Sequence, residues 1–493
     1  GVSLEGGQYE WALESFFGRV GYDWKGRYLA EVNLRWDASS RFRRDKRAAV
    51  FPSVSAGWRV SEEPFFAPIR NTFSNFKIRG SFGSLGNQAI SSPYPYIQTL
   101  DLLQQNYLVN GEFLTYASVS APTAGNFTWE TVVHGNLGLD LGFFNNRLTF
   151  AGDLYIRDTK DMLVPGKTLP GVYGAASPKE NAADLRTKGY ELTLSWNDKF
   201  NLAGKPFTYG VSFALGDNIS KITKYDNPTK DFNVSQYYEG MTIGEIWGYK
   251  IDGLFKTDEE AAAYQAEIDH SLIAKNILQT ATGKYKGLKA GDPKFVDLDG
   301  NGRIDDGEKT ADNRGDMVII GNKEPRYLYN ANIGLSWNGI DISAFFQGVG
   351  RQHRYPDGNN MMFWGGFARP YSSFVPANFL DNVWSEENPN AYLPKIRGYA
   401  AQGDRSLGHK NDRYLQNIAY CRLKNLTVGY TLPSEWTSKI KIDRLRVYFS
   451  GDNLFTWTKL KSDYIDPEQI TVNSDARTYP FSKVFSFGLD ITF

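Results

Sequence analysis

The chain has a single cysteine, Cys421, four histidines and no excess of either charge, since Lys+Arg and Asp+Glu number 55 each. One thiol excludes an internal disulfide framework, and the scattered His134, His270, His353 and His409 lack metal-ligand spacing. A formal net charge of zero leaves no basic footprint for nucleic acid. A membrane-spanning helix needs a run of roughly 18 or more apolar residues, and the chain has none. Strands escape that exclusion. A barrel strand needs an apolar side chain only at every second position, which leaves mean hydropathy low, here −0.44. No nucleophile elbow or acid/base pair stands out, and Cys421, beside Arg422 in a strand-like stretch, reads as a small buried or lipid-facing side chain.

What the 493 residues do contain is aromatics, 15% of the total, and 48 glycines. The C-terminal stretch shows how they are used. After Lys483 the odd positions are Phe485, Phe487, Leu489, Ile491 and Phe493, and the even ones are Val484, Ser486, Gly488, Asp490 and Thr492. With the exception of Val484 this is a strict period of two, so one strand face is apolar and the other carries a carboxylate, hydroxyls and a glycine. A soluble edge strand avoids ending on an unprotected aromatic, whereas a lipid-facing strand has no reason to. The alternative is a strand of a soluble β-sandwich.

The same alternation recurs along the chain. Phe16 to Trp24 and Tyr28 to Trp36 flank a Lys25-Gly26 turn, Leu137 to Phe143 and Leu148 to Ile156 flank Asn145-Asn146, and Ile333 to Trp337 turns through Asn338-Gly339 into Ile340 to Phe346. With Val54–Val60, Phe76–Phe82, Tyr190–Trp196, Phe207–Leu215, Leu426–Tyr430 and Leu445–Phe449 the count is about thirteen strands. Short turns alternate with long connections at 85–131, 218–323, 350–412 and 458–482, the arrangement of an outer-membrane barrel. Residues 218–323 are too many for a bare loop and include a helical stretch, 259–277; residues 350–412 read as a second folded insertion. Trp24, Trp196 and Trp337 each stand where a strand leads into a shorter connection, as an interfacial girdle requires. The fold expected is therefore an all-β, transmembrane antiparallel barrel, or part of one.

One connection has the spacing of a metal site. From Asp297 to Glu308, oxygen-bearing residues fall at positions 1, 3, 5, 9 and 12 with glycine at 6, the spacing of an EF-hand calcium loop. Asp297, Asp299 and Asn301 would offer side chains, Arg303 its carbonyl, Asp305 a direct or water-borne contact, and Glu308 two oxygens. The flanks are not helical, and an Asp/Gly-rich turn bonded to its own backbone is the alternative. Tyr94, Tyr96, Tyr107, Phe363, Trp364, Phe367 and Tyr371 are candidate stacking platforms or loop anchors. No residue identifies a substrate.

The stretches Ser15-Phe16-Phe17-Gly18-Arg19-Val20, Phe51-Pro52-Ser53-Val54-Ser55-Ala56-Gly57-Trp58 and Lys77-Ile78-Arg79-Gly80-Ser81-Phe82-Gly83 closely resemble the SusC/RagA family of TonB-dependent transporters from Bacteroidota. So do Leu423-Lys424-Asn425-Leu426-Thr427-Val428-Gly429-Tyr430 and Ser450-Gly451-Asp452-Asn453-Leu454-Phe455-Thr456. Ser486, Gly488, Ile491 and Phe493 also resemble the C-terminal signal that hands barrels to the outer-membrane assembly machinery. The resemblance implies TonB-driven import of oligosaccharides or peptides through a plugged barrel capped by a SusD-like lipoprotein, without bond-breaking. About thirteen strands fall short of a barrel of about 22. The chain begins at Gly1 without a leader pattern, so we expect the C-terminal part of a longer protein, with the plug and TonB-contact segment elsewhere. The rival readings are a passive porin-like barrel and a secreted all-β glycan-active enzyme.

Overall fold

A computed structural model describes residues 6, 8–88, 90, 94–123, 125, 127–166, 170, 172, 174, 177–273, 287–371, 375, 377–462, 464–470, 478, 479 and 481–493. Thirteen strands follow one another in chain order in one antiparallel sheet. They are β1 (Leu13–Trp24), β2 (Tyr28–Ser39), β3 (Ala48–Arg59), β4 (Phe73–Asn87), β5 (Glu130–Phe143), β6 (Leu148–Pro165) and β7 (Lys179–Leu202). Then come β8 (Lys205–Lys224), β9 (Arg326–Trp337), β10 (Ile340–Arg351), β11 (Tyr420–Thr431), β12 (Arg444–Thr458) and β13 (Val484–Thr492). The chain forms two compact units, Gly1–Leu192 with Asn218–Thr242, and Thr193–Asp217 with Ile243–Phe493.

The tight hairpins owe their geometry to their turn residues. Lys25-Gly26, Ala203-Gly204 and Asn338-Gly339 all have positive φ at both positions, which matches the twist of the strands they join. Register then follows from the alternation: Phe16 faces Trp36, Val20 faces Val32, and Val447 faces Leu489. A slip of one residue would exchange the two faces.

Among the described residues the apolar face is largely uncovered in either unit. Val20, Tyr22, Val32, Leu34 and Phe82 in the first, and Val447, Phe487 and Leu489 in the second, are exposed. The buried apolar clusters lie instead mainly in the connections. The largest gathers Trp364, Phe367, Leu407, Tyr414 and Ile470 in the second unit, and Phe42, Phe51, Phe127 and Trp129 form one in the first. A soluble sheet would bury its apolar face; these sheets bury connections and leave most of that face exposed. No helix among the described residues is long and apolar enough to cross a membrane. The expected all-β barrel architecture is borne out.

Several strands outrun their expected limits. β3 starts at Ala48, ahead of the expected Val54, and β6, β7 and β8 extend to Pro165, back to Lys179 and on to Lys224. Alternation marks a strand only where its two faces meet different surroundings; beyond that zone polar side chains occupy both faces while the ladder continues. Arg186 bonds Asp158 at 2.7 Å there, and Thr187 bonds Ser220 at 2.8 Å. The 85–131 connection holds an unexpected hairpin, Leu100–Val109 with Glu112–Val119, turned by Asn110-Gly111. The helix of the 218–323 connection spans Asp258–Glu267, capped by Thr257 on the Glu260 N–H; residues 274–277 of the expected span lie outside the described residues.

Candidate functional site

The polar strand faces carry linked ions. In the first unit Arg79 of β4 reaches Asp140 of β5 at 3.2 Å and Asp153 of β6 at 2.5 Å, and Asn136 donates to Asp153 at 2.6 Å. Gly138 makes room for it, because a Cβ there would collide with the Arg79 guanidinium. In the second unit Arg446 of β12 grips Asp341 of β10 through two bonds, 2.6 and 2.9 Å, and Asp490 of β13 at 2.9 Å. Lys424 pairs with Glu468 at 2.7 Å, and the buried Arg422 with Asp466, which fastens the connection after β12 to β11. Each guanidinium spans more than one strand, so the polar face is a cross-braced hydrophilic wall.

The acidic connection brings some of its expected ligands together and leaves others apart. Asp297, Asp299 and Asp316 place carboxylate oxygens within 4.8 Å of one another, the one group of three or more His, Cys, Asp or Glu side chains so close among the described residues. Glu308 is exposed and is not among them. Asp316 takes its place because Asp316 N–H bonds the Asp305 carbonyl at 3.1 Å, closing residues 305–316 into a loop. The buried Asp316 accepts the Leu298 and Asp305 N–H groups at 2.6 and 2.8 Å, yet burial still pushes its carboxyl above the usual range. Asp297 accepts from Gly300 and Gly302 at 2.8 and 2.9 Å, Asp299 and Asn301 accept from Asn301 and Arg303, and Asp305 from Gly307. The Arg303 guanidinium turns toward Asp305, 3.7 Å away. A distant acid closing the set leaves no trace in twelve-residue spacing.

Trp24 ends β1 and Trp337 ends β9, whose indole donates to the Leu202 carbonyl at 3.1 Å. Trp196 departs from expectation: β7 continues past it to Leu202, and its indole donates to the Tyr209 hydroxyl at 3.0 Å. Tyr28 and Trp58 join the row beside Trp24, stacked 6.4 Å apart. Phe363, Trp364 and Phe367 are buried anchors, whereas Tyr107 and Tyr371 are exposed. Tyr94 and Tyr96 pack edge to face. Cys421 is half-buried on β11. Of the C-terminal residues, Ile491 and Phe493 lie on the exposed apolar face, while Ser486 and Gly488 alternate with it opposite Ser450 and Tyr448.

Known proteins resemble this chain along most of its length. Residues 5–454 match the family described as "TonB dependent receptor-like, beta-barrel". "TonB-dependent receptor P3" of Formosa agariphila is 30% identical over 520 residues, covering 100% of this chain and 47% of that protein. "TonB-dependent receptor SusC" of Bacteroides thetaiotaomicron is 28% identical over 491 residues, covering 98% of this chain and 44% of that one. A solved structure of the RagAB peptide importer in its "open-open" state shares the fold with a TM-score of 0.71 at 23% identity, covering 98% of this chain and 47% of that one. The chain spans about half the length of the curated relatives it matches. With the matched residues running from before β1 into the twelfth of the thirteen strands, the chain belongs to the TonB-dependent receptor β-barrel family and is an outer-membrane protein.

Proposed function

We propose that this chain forms barrel wall of a TonB-dependent importer that takes up oligosaccharides or peptides. The two-faced strands carry this reading: a bare apolar face suits lipid, and a cross-braced ionic face suits a water-filled lumen. The full-length protein would work with a SusD-like lipoprotein at the outer surface and draw energy from the TonB complex through segments beyond this chain. Ser486, Gly488, Ile491 and Phe493 would serve the assembly machinery, and Trp24 and Trp337, which do end their strands, would mark the membrane boundary. No bond-breaking step is assigned. Deleting the gene for the full-length receptor should abolish growth on at least one oligosaccharide or peptide pool as sole carbon source, and TonB depletion should reproduce that defect. Unchanged growth on every pool, or uptake that survives TonB depletion, would sink the proposal.

We further propose that the acidic connection binds Ca2+ in a structural role, with Asp316 replacing Glu308. Calcium takes six to eight oxygens, and Asp297, Asp299, Asp316, Asn301 and the Arg303 carbonyl supply hard oxygen donors of that kind. The ion would offset repulsion among three clustered carboxylates, one of them buried. Millimolar calcium should raise the melting temperature of the purified full-length receptor by several degrees. Asp316→Asn should remove that gain and Glu308→Gln should keep it; no calcium response in the parent protein leaves the self-bonded turn. Without calcium, Asp316 has a folded pKa above its unfolded one. Stability should therefore fall as pH rises through the carboxylate range, because the folded state holds the proton longer.

A further inference from the structure

The connection between β3 and β4 does more than turn the chain. After Arg59 it makes two 3-10 segments, Val60–Glu62 and Pro64–Ile69. Phe66 is buried, with its ring 6.1 Å from Phe73 and 6.0 Å from Phe76. Phe76 alternates in step with Ile78 and the exposed Phe82 on the apolar face of β4. The connection therefore folds back over the outer, apolar side of the sheet and not over its ionic side.

Glu63 fastens it there. Its buried carboxylate accepts the Trp58 indole N–H at 3.1 Å and lies 3.5 Å from the Arg27 guanidinium. Trp58 stacks on Tyr28, which packs on Trp24, so the connection is tied to the aromatic row at the short-turn end of the strands. What remains outside is apolar: Phe65 is 66% exposed and Ile69 49%. A surface turn needs neither residue, and the buried Phe66 already supplies the packing.

We infer that residues 64–69 are an interfacial anchor, with Phe65 and Ile69 inserted at the headgroup–acyl boundary of the bilayer leaflet on the short-turn side. The inference rests on the reading that the apolar strand face meets lipid. Lipid is the occupant because the turn is seated on that same face, and a protein partner would have to wedge between the strands and the bilayer. Aromatic residues favour this depth, and Arg70, directly after the turn, would meet the phosphates. Arg70 is held in place by the Ser61 carbonyl at 2.7 Å. The second unit repeats the chemistry by itself: the connection from β11 to β12 exposes Trp436 and Ile440 on two short helical turns, with Lys439 and Lys441 adjoining.

Nitroxide accessibility tests it. In the full-length receptor with its native cysteines replaced, labels at Phe65→Cys and Ile69→Cys are reconstituted in phosphatidylethanolamine/phosphatidylglycerol vesicles. The ratio of oxygen to nickel-chelate accessibility should exceed several-fold that of a label at the exposed Glu386→Cys, and approach that at Phe487→Cys. A ratio equal to that at Glu386 would place the turn in water, and low accessibility to both reagents would place protein over it; either result overturns the anchor. The two readings fail separately. Nickel access at Phe487→Cys would remove the lipid-facing strand itself, whereas nickel access confined to Phe65 and Ile69 would remove only the anchor.

Discussion

Leu489→Arg should abolish accumulation of the receptor in the outer membrane. Leu489 faces Val447 across the β12–β13 ladder, on the face that also carries Phe485, Phe487 and Ile491, and it is 63% exposed with no layer over it. An Arg on the lipid side near mid-bilayer costs roughly 2 to 4 kcal/mol, which is about 30- to 1000-fold in the folding equilibrium. Because β13 carries Ser486, Gly488 and Ile491, which we propose serve the assembly machinery, that loss would fall on the strand expected to organise insertion. Ser486→Asn, on the opposite face, changes polarity little and serves as the control. The measurement is the folded, heat-modifiable fraction in purified outer membranes. Wild-type levels of Leu489→Arg would mean that this face does not meet lipid, and the barrel orientation would fall with it.

That the strands could be read without coordinates follows from the same asymmetry. Where one face meets an apolar medium and the other water, side-chain chemistry must alternate, as from Phe485 to Phe493, and turns such as Asn338-Gly339 announce themselves. Where both faces are wet the signal vanishes, so the extensions of β6, β7 and β8 were invisible although their ladders persist. The Leu100–Val119 hairpin hid for a related reason. Leu102-Leu103 and Gln104-Gln105 break the period of two, and only Asn110-Gly111 hinted at the turn.

The functional groups divide along another line. Asp297 and Asp299 are legible as a pair of clustered carboxylates because their spacing is local in sequence, but Asp316 joins them through a loop closure that spacing does not encode. Trp196 misleads because a tryptophan can mark a strand end or a position within the strand, and only the position of Leu202 decides. The ion pairs of Arg79 and Arg446 needed register across several strands. Alternation shows that a cation lies on the polar face; it does not show which carboxylates it meets.

Gly488→Leu should be nearly as damaging as a charge on the lipid face, for a steric reason that a second substitution can reverse. Gly488 faces Tyr448 across the ladder, and a Cβ at Gly488 would fall within the Tyr448 ring. That ring cannot simply swing aside, because the Arg446 guanidinium sits 4.8 Å from its centre. Arg446 is itself held by Asp341 and Asp490 and seated over Gly429, where a Cβ would also collide. Forcing volume into such a stack typically costs about 1 to 3 kcal/mol. The expected result is a severalfold drop in the folded fraction of Gly488→Leu and a smaller one in Gly488→Ala. Tyr448→Ala alone removes ring packing, but combined with Gly488→Ala it should recover much of what the glycine substitution loses. Recovery would make Gly488 a socket for Tyr448. If the double variant fails as badly as Gly488→Ala, the glycine is required by the assembly machinery itself, and the steric account is wrong.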